Sequence, residues 1–327
     1  MSLTASDLLS LPYDESLTLA GVTYVLQTIH HLGFRDRLPF VSGLRRVAQA
    51  TATELAVRRW LHSERVPYGL LASEPITEPP RRHMVIGGRR LFVASHTVTS
   101  ARQIQQLRRD PASLCRAQAL IPEMHFIHER FGQGDICLFA YLLCRETRTP
   151  SEVQQALRAH MDTHLLALPR KRGWRQHHPW RALGPLTIAN PTSQALTIEL
   201  AGELSDRRLW RKSLSLRPGK TRNLPVALHT LLYLHSLNPA TPTLHISSNV
   251  LARPWIITSS DWDNVWFYGS QIWLAGWMTS GEFRRHSKHM SAGSRTRLSG
   301  RIRSDHRWLR ASDLRPLKEL LARFHPS

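Results

Sequence analysis

Cysteine is scarce in this 327-residue chain: Cys115, Cys137 and Cys144 are an odd number with no CxxC pair. A disulfide framework and a zinc knuckle are both disfavoured, and a reducing compartment is expected. Long apolar runs are missing as well. Nothing approaches the roughly 20 residues of a membrane span, and Met1 to Tyr13 carries Asp7 with no basic stretch leading into an apolar one, so the expectation is a cytoplasmic protein without a membrane partner. The chain has no Walker loop, no GxGxxG and no HExxH, which removes the usual signals for nucleotide binding and for a helix-borne zinc site. Internal repeats and low-complexity tracts are absent too.

Acids are the most telling shortage. Only 24 Asp and Glu oppose 44 Lys and Arg, a formal charge of +20 before any of the 18 histidines is protonated. Such an excess concentrates anionic partners near the surface and speeds encounter with them. The cations are mostly Arg, whose planar fork suits phosphate oxygens and guanine edges better than an ammonium does, so nucleic acid is the expected partner, DNA first.

Periodicity predicts helices over Leu17 to His31 and Val41 to His62. Strands follow at Tyr68–Ala72, His83–Ile86 and Leu91–Ser95, the last two joined by the Gly87–Gly88 turn, and then a helix capped by Thr99 or Ser100. Asp135–Leu142 reads as a buried strand, and Pro150 with Glu152 opens another helix. Residues 1–168 thus form an α/β (α+β) domain. Residues 169–182, with the run PRKRGWRQHHP, read as a basic linker. Residues 183–327 alternate in short segments and read as a β-rich, sandwich-like domain with a terminal helix from Ser312 to Phe324.

The order of a helix bearing Glu54, strands around Gly87–Gly88, and a helix near Gln103 resembles the PD-(D/E)xK core of restriction-type endonucleases, over residues 40–145. That resemblance implies a restriction-endonuclease-like fold in which carboxylates hold divalent cations and a lysine steadies the developing charge. Aligned on the turn, the acid-x-Lys triplet falls on Phe92, Val93 and Ala94, and the upstream strand offers only His83 in place of Asp. Without clustered carboxylates no Mg²⁺ site forms in the usual way, so a pseudo-nuclease is implied, with no cofactor. An active Mg²⁺-dependent nuclease would need a displaced site from Glu54, Glu74 and Glu78. Against a catalytic Glu54 stands its spacing to Arg58, which favours an ordinary helix ion pair.

The strongest charge signal is the stretch from Arg284 to Arg310. Arg284, Arg285, Lys288, Arg295, Arg297, Arg301 and Arg303 are the expected phosphate contacts, with Gly293 and Gly300 letting backbone N–H groups approach, and Arg170, Lys171 and Arg172 as a second patch. The aromatics Trp262, Trp266, Phe267, Tyr268, Trp273 and Trp277 read first as core and only second as a base-stacking platform. His125 with His128, and His160 with His164 at helical spacing, are weak metal-ligand pairs lacking a third ligand. The expected function is nucleic-acid binding on a nuclease-like, catalytically inactive core. The alternatives are an active restriction or defence endonuclease, and a scaffold subunit of a nucleoprotein complex with a catalytic protein partner.

Overall fold

The computed structural model describes residues 3–31, 40–73, 81–128, 131–169, 174, 181–298 and 300–324. Glu74, Glu78, Arg170, Lys171 and Arg172 lie outside the described residues. The chain divides into two compact units, one of Met1–Tyr24, Arg46–Arg145 and Phe267–Ser327, the other of Val25–Arg45 and Glu146–Trp266.

Strand β1 (Leu9–Leu11) and helices α1 (Glu15–Thr28) and α2 (Phe40–Ser63) open the chain. Next come β2 (Gly69–Ser73), β3 (Arg81–Ile86), β4 (Arg89–Val98) and α3 (Ala101–Arg109). Gly87 and Gly88 both take positive φ, +53° and +74°, as a two-residue hairpin turn of the primed type requires. Helix α3 buries Ile104 and Leu107 and ends before Pro111. Then follow β5 (Gln118–Pro122), α4 (Glu123–His128) and β6 (Ile136–Glu146). β6 runs parallel to β4, Leu91 beside Ile136, and is buried from Ile136 to Cys144. A strand covered on both faces reads as a continuous apolar run, and ICLFAYLLC is one.

The longer segment of the second unit, Glu146–Trp266, opens with α5 (Pro150–Arg158). Thr149 and Glu152 close a reciprocal capping box around Pro150, which needs no N–H at that position. Strands β7 (Leu165–Ala167), β8 (Pro185–Ala189), β9 (Leu196–Glu203), β10 (Leu209–Leu216), β11 (Thr221–Ala227), β12 (Thr230–Ser236), β13 (Leu244–Ser248), β14 (Trp255–Ile257) and β15 (Trp262–Asn264) follow. They form two antiparallel sheets, ordered β10-β9-β12-β7-β15 and β11-β8-β13-β14. Ile188 and Ile246 from one sheet and Ile198 and Leu234 from the other share a single buried cluster.

Composition groups residues 183–327 together, but the structure separates them at Trp266. The long strand β16 (Phe267–Thr279) enters the first unit's sheet, giving the order β1-β16-β6-β4-β3-β2. Its second half is almost wholly buried, which an interior position in a sheet supplies. Gly276 marks a close approach on this strand: a Cβ there would lie 2.5 Å from the Arg315 carbonyl oxygen. The basic segment that follows therefore belongs to the first unit. It comprises α6 (Ser280–His286), β17 (Lys288–Met290), β18 (Arg295–Thr296), β19 (Gly300–Arg301), β20 (His306–Arg310) and α7 (Leu317–Phe324). The terminal helix starts later than Ser312, because Pro316 forces extended backbone before it and Arg315 forms a bridge with Trp277.

Candidate nucleic-acid interface

Helix α6 is fixed by Thr279, whose hydroxyl accepts the Glu282 N–H at 3.3 Å while its own N–H donates to the Glu282 carboxylate at 3.1 Å. Arg284, Arg285 and His286 occupy the last turn, where the helix dipole favours cations, and all three are exposed. β17 then pairs with β20, which pairs with β5, so Lys288 lies on a three-stranded sheet together with Arg307. Arg307 acts as a strut: its guanidinium donates to the Ser287 hydroxyl at 2.9 Å and to the carbonyls of Ser287 at 3.0 Å and Arg284 at 3.1 Å. It thereby holds the C-terminal turn of α6 to the sheet.

The β18–β19 hairpin sets Arg295 directly opposite Arg301. Like charges placed so repel one another. Thr296 steadies the turn through a 3.0 Å bond to the Gly300 carbonyl. The Arg297 N–H donates to Gln118 Oε1 at 3.0 Å and its carbonyl accepts from Gln103 at 2.8 Å, so α3 and β5 anchor the backbone while the side chain stays exposed. Arg285, Lys288, Arg295, Arg297, Arg301 and Arg303 are all exposed, and among the described residues none forms an ion pair. Arg284 lies 5.9 Å over the Phe126 ring. A cleft of about 600 Å³ beside them is lined by Gln133, Thr279, Gly281, Glu282, Arg284, Arg285 and Arg307. Gln133 and Phe126 carried no sequence signal as partners of this region, since only the fold brings them to α6.

The expected role of Gly293 does not hold. Its φ of +87° shapes a turn in which its N–H donates to the Ile302 carbonyl at 2.8 Å, leaving nothing to offer a phosphate. The aromatic run is mostly core: Trp262, Trp266, Phe267 and Trp277 are buried, and the indoles of Trp262 and Trp277 donate to the carbonyls of Pro242 and Pro316. His160 and His164 do not share a helix, since α5 ends at Arg158 and His160 has φ +50°. His164 instead stacks between His235 and Trp266, and burial pushes its pKa down to about 4. His125 packs 5.0 Å from the Phe92 ring.

The hairpin positions where a nuclease would carry its acid and lysine are apolar in space as well as in sequence. Ala94 is packed with Cys137 and Phe139 in the core, and Phe92 lies 5.4 Å from Phe131. Glu54 forms an ion pair with Arg58 one turn along α2. Behind β4, the Ser95 hydroxyl meets Thr53 at 3.2 Å and the Gln49 amide meets the Cys144 sulfur at 3.5 Å. The nearby Asp135 is saturated by Arg90, which donates at 2.7 and 3.0 Å, and by the Gly132 N–H at 2.7 Å. Its part is to tie β4 to the start of β6. No protein-family model matches this chain, and no curated protein or solved structure is detectably similar to it.

Proposed function

We propose that the chain is a nucleic-acid-binding protein, DNA favoured, whose contact surface is the arginine-rich face of α6, β17 and the β18–β19 hairpin. The observation that carries the reading is the set of exposed, unpaired cations from Arg284 to Arg303, with Arg295 set against Arg301. Exposed arginines are ordinarily solvated, but two facing each other across a hairpin with no carboxylate between them are relieved best by a bridging anion. Phosphates spaced along a backbone supply such anions repeatedly, and arginine forks meet them with two bonds each. Arg284 beside Phe126 adds an aromatic surface next to the charge.

On this reading the first unit is a restriction-endonuclease-like scaffold that has kept polyanion binding and lost Mg²⁺ chemistry at the β3–β4 hairpin. The apolar packing of Ala94 with Cys137 and Phe139 and the occupied carboxylates of Glu54 and Asp135 support that part. The test is fluorescence-anisotropy binding of labelled single- and double-stranded DNA and RNA across a salt series with Mg²⁺ present, the probes being checked for cleavage afterwards. Tight duplex-DNA binding with a steep salt slope and intact probes is expected. Cleaved probes lost in Glu54→Gln would restore the nuclease, and no binding near physiological salt would remove the reading altogether.

A further inference from the structure

We propose that the second unit carries a phosphate-binding surface of its own, at the turn joining β10 to β11, and that a nucleic-acid backbone is what it takes. Residues 207–260 contain no Asp or Glu but eight Lys and Arg, so no acid within that span offsets its charge. Where an acid from outside the span comes within reach it is used: Asp206 pairs with Arg208, and Glu199 with Arg211 at 3.4 Å. Lys212, Arg217, Lys220 and Arg222 are exposed, and among the described residues none of them forms an ion pair.

The turn is built rather than loose. Pro218 and Gly219 occupy its centre, Gly219 with φ +61°, and the Lys220 N–H donates back to the Arg217 carbonyl at 3.3 Å, the pattern of a type II turn. Buried Asn190, just past β8, clamps it. Its N–H donates to the Lys220 carbonyl at 3.0 Å, and its side-chain amide to the carbonyls of Leu216 at 3.2 Å and Arg217 at 3.3 Å. All of these bonds engage turn backbone, so the Arg217 and Lys220 side chains are left for a ligand at a tip whose backbone is already ordered. A Cβ on Gly219 would meet nothing within 4 Å, so the tip is open.

β10 and β11 are end strands of their respective sheets, and Arg222 donates to the Ser215 carbonyl at 3.3 Å, which ties one to the other. Lys212 stands opposite Leu200 and Arg222 opposite Ile188, both of them core residues. A cation at an inward register position on an edge strand discourages pairing with another chain, and that accounts for Lys212 and Arg222 by themselves. It does not account for Arg217 and Lys220, which lie on no strand and guard no edge. A lipid surface calls for apolar side chains among the cations. Here Leu214, Leu216 and Leu224 are buried, and the turn presents Arg217, Pro218, Gly219 and Lys220. Hydrated phosphates along a backbone match cations of that kind. Nucleic acid as the source of the phosphates rests on the reading above; the surface itself does not.

The test uses the full chain and a labelled duplex DNA, with anisotropy read from about 50 to 200 mM salt. Arg217→Ala with Lys220→Ala removes two phosphate contacts, so the slope of log affinity against log salt should flatten by about 1.8 and affinity at the low-salt end should fall at least ~10-fold. Asn190 holds the turn through backbone, so this variant should melt with the wild type. Arg158→Ala with Arg253→Ala is the control. It removes two exposed charges from the same unit beside the opposite end strands, Arg158 closing α5, which packs on β15, and Arg253 preceding β14, and it should leave slope and affinity near wild type. Added to Arg295→Ala with Arg301→Ala, the turn pair should flatten the slope by about 1.8 more. A wild-type slope in the turn pair, or an equal loss in the control pair, overturns this surface and leaves the α6 reading standing. A loss in the turn pair with none in Arg295→Ala, Arg301→Ala keeps this surface and removes the other. Vesicles of phosphatidylserine in phosphatidylcholine are run in parallel: vesicle capture lost in the turn pair while DNA binding is unchanged overturns nucleic acid as the partner.

Discussion

The double substitution Arg295→Ala with Arg301→Ala separates binding from folding, because the two arginines are set directly opposite each other on β18 and β19 and neither pairs with a carboxylate among the described residues. Each phosphate contact to duplex DNA adds about 0.9 to the slope of log affinity against log salt, so losing two contacts should flatten the slope by about 1.8. Between about 50 and 200 mM salt the wild type should then lose roughly 12-fold more affinity than the variant does. Stability should move the other way. Removing a like-charge cross-strand pair relieves about 0.2–1 kcal/mol, so the variant should melt at the wild-type temperature or slightly above it. Anisotropy over a salt series and a thermal melt without DNA give the two numbers. An unchanged slope would show that the hairpin lies off the interface, and a lowered melting temperature would show that the arginines hold the fold.

Other outcomes follow from packing and from titration. Gly276→Ala should destabilise the first unit by about 1–3 kcal/mol, because its Cβ meets the Arg315 carbonyl at 2.5 Å, whereas Gly43→Ala, with open space around it on α2, should stabilise by up to about 1 kcal/mol; chemical denaturation compares them. Burial pushes the pKa of His96 down to about 4, its Nε2 accepting the Leu120 N–H at 3.2 Å. Below about pH 6.5 the unfolded chain takes up a proton that the folded one refuses, so stability is full above that pH and falls towards pH 4, by about 2 kcal/mol at pH 5. His96→Gln keeps an acceptor and should flatten that fall in melts at pH 7 and 5. Glu282 behaves as a depressed carboxylate: partial burial opposes ionisation, but the Thr279 hydroxyl and N–H and the Arg315 guanidinium outweigh it. Its contribution is present above the ordinary Glu value of 4.5 and is lost as pH falls below it, so Glu282→Gln should weaken the acid dependence of the melt.

Local signals were legible along the chain because they are satisfied within a few residues. The apolar spacing of α1 and α2, the Gly87–Gly88 turn, and the opening of α5 at Pro150 with Glu152 are each encoded by residues a few positions apart. The run from Asp135 to Leu142 read as a buried strand before any partner was known, and the strand is in fact buried from Ile136 to Cys144. Even the missing hairpin carboxylates were visible, since Phe92 and Ala94 cannot ligate a metal wherever they lie.

The sequence by itself determined the charge, the alternation of the β-rich segment and the arginine content of residues 284–310. Only the tertiary structure decided that β16 enters the first unit's sheet and that Arg295 stands against Arg301. The His160 and His164 spacing shows the limit well: it is helical on paper, but the backbone turns left-handed at His160 and sends the ring of His164 against Trp266. The reason is range. A turn, a cap or an amphipathic face is fixed by residues a few positions away, whereas the partner of a strand is chosen by burial over the whole chain, and each contact so made costs loop-closure entropy that no local pattern records.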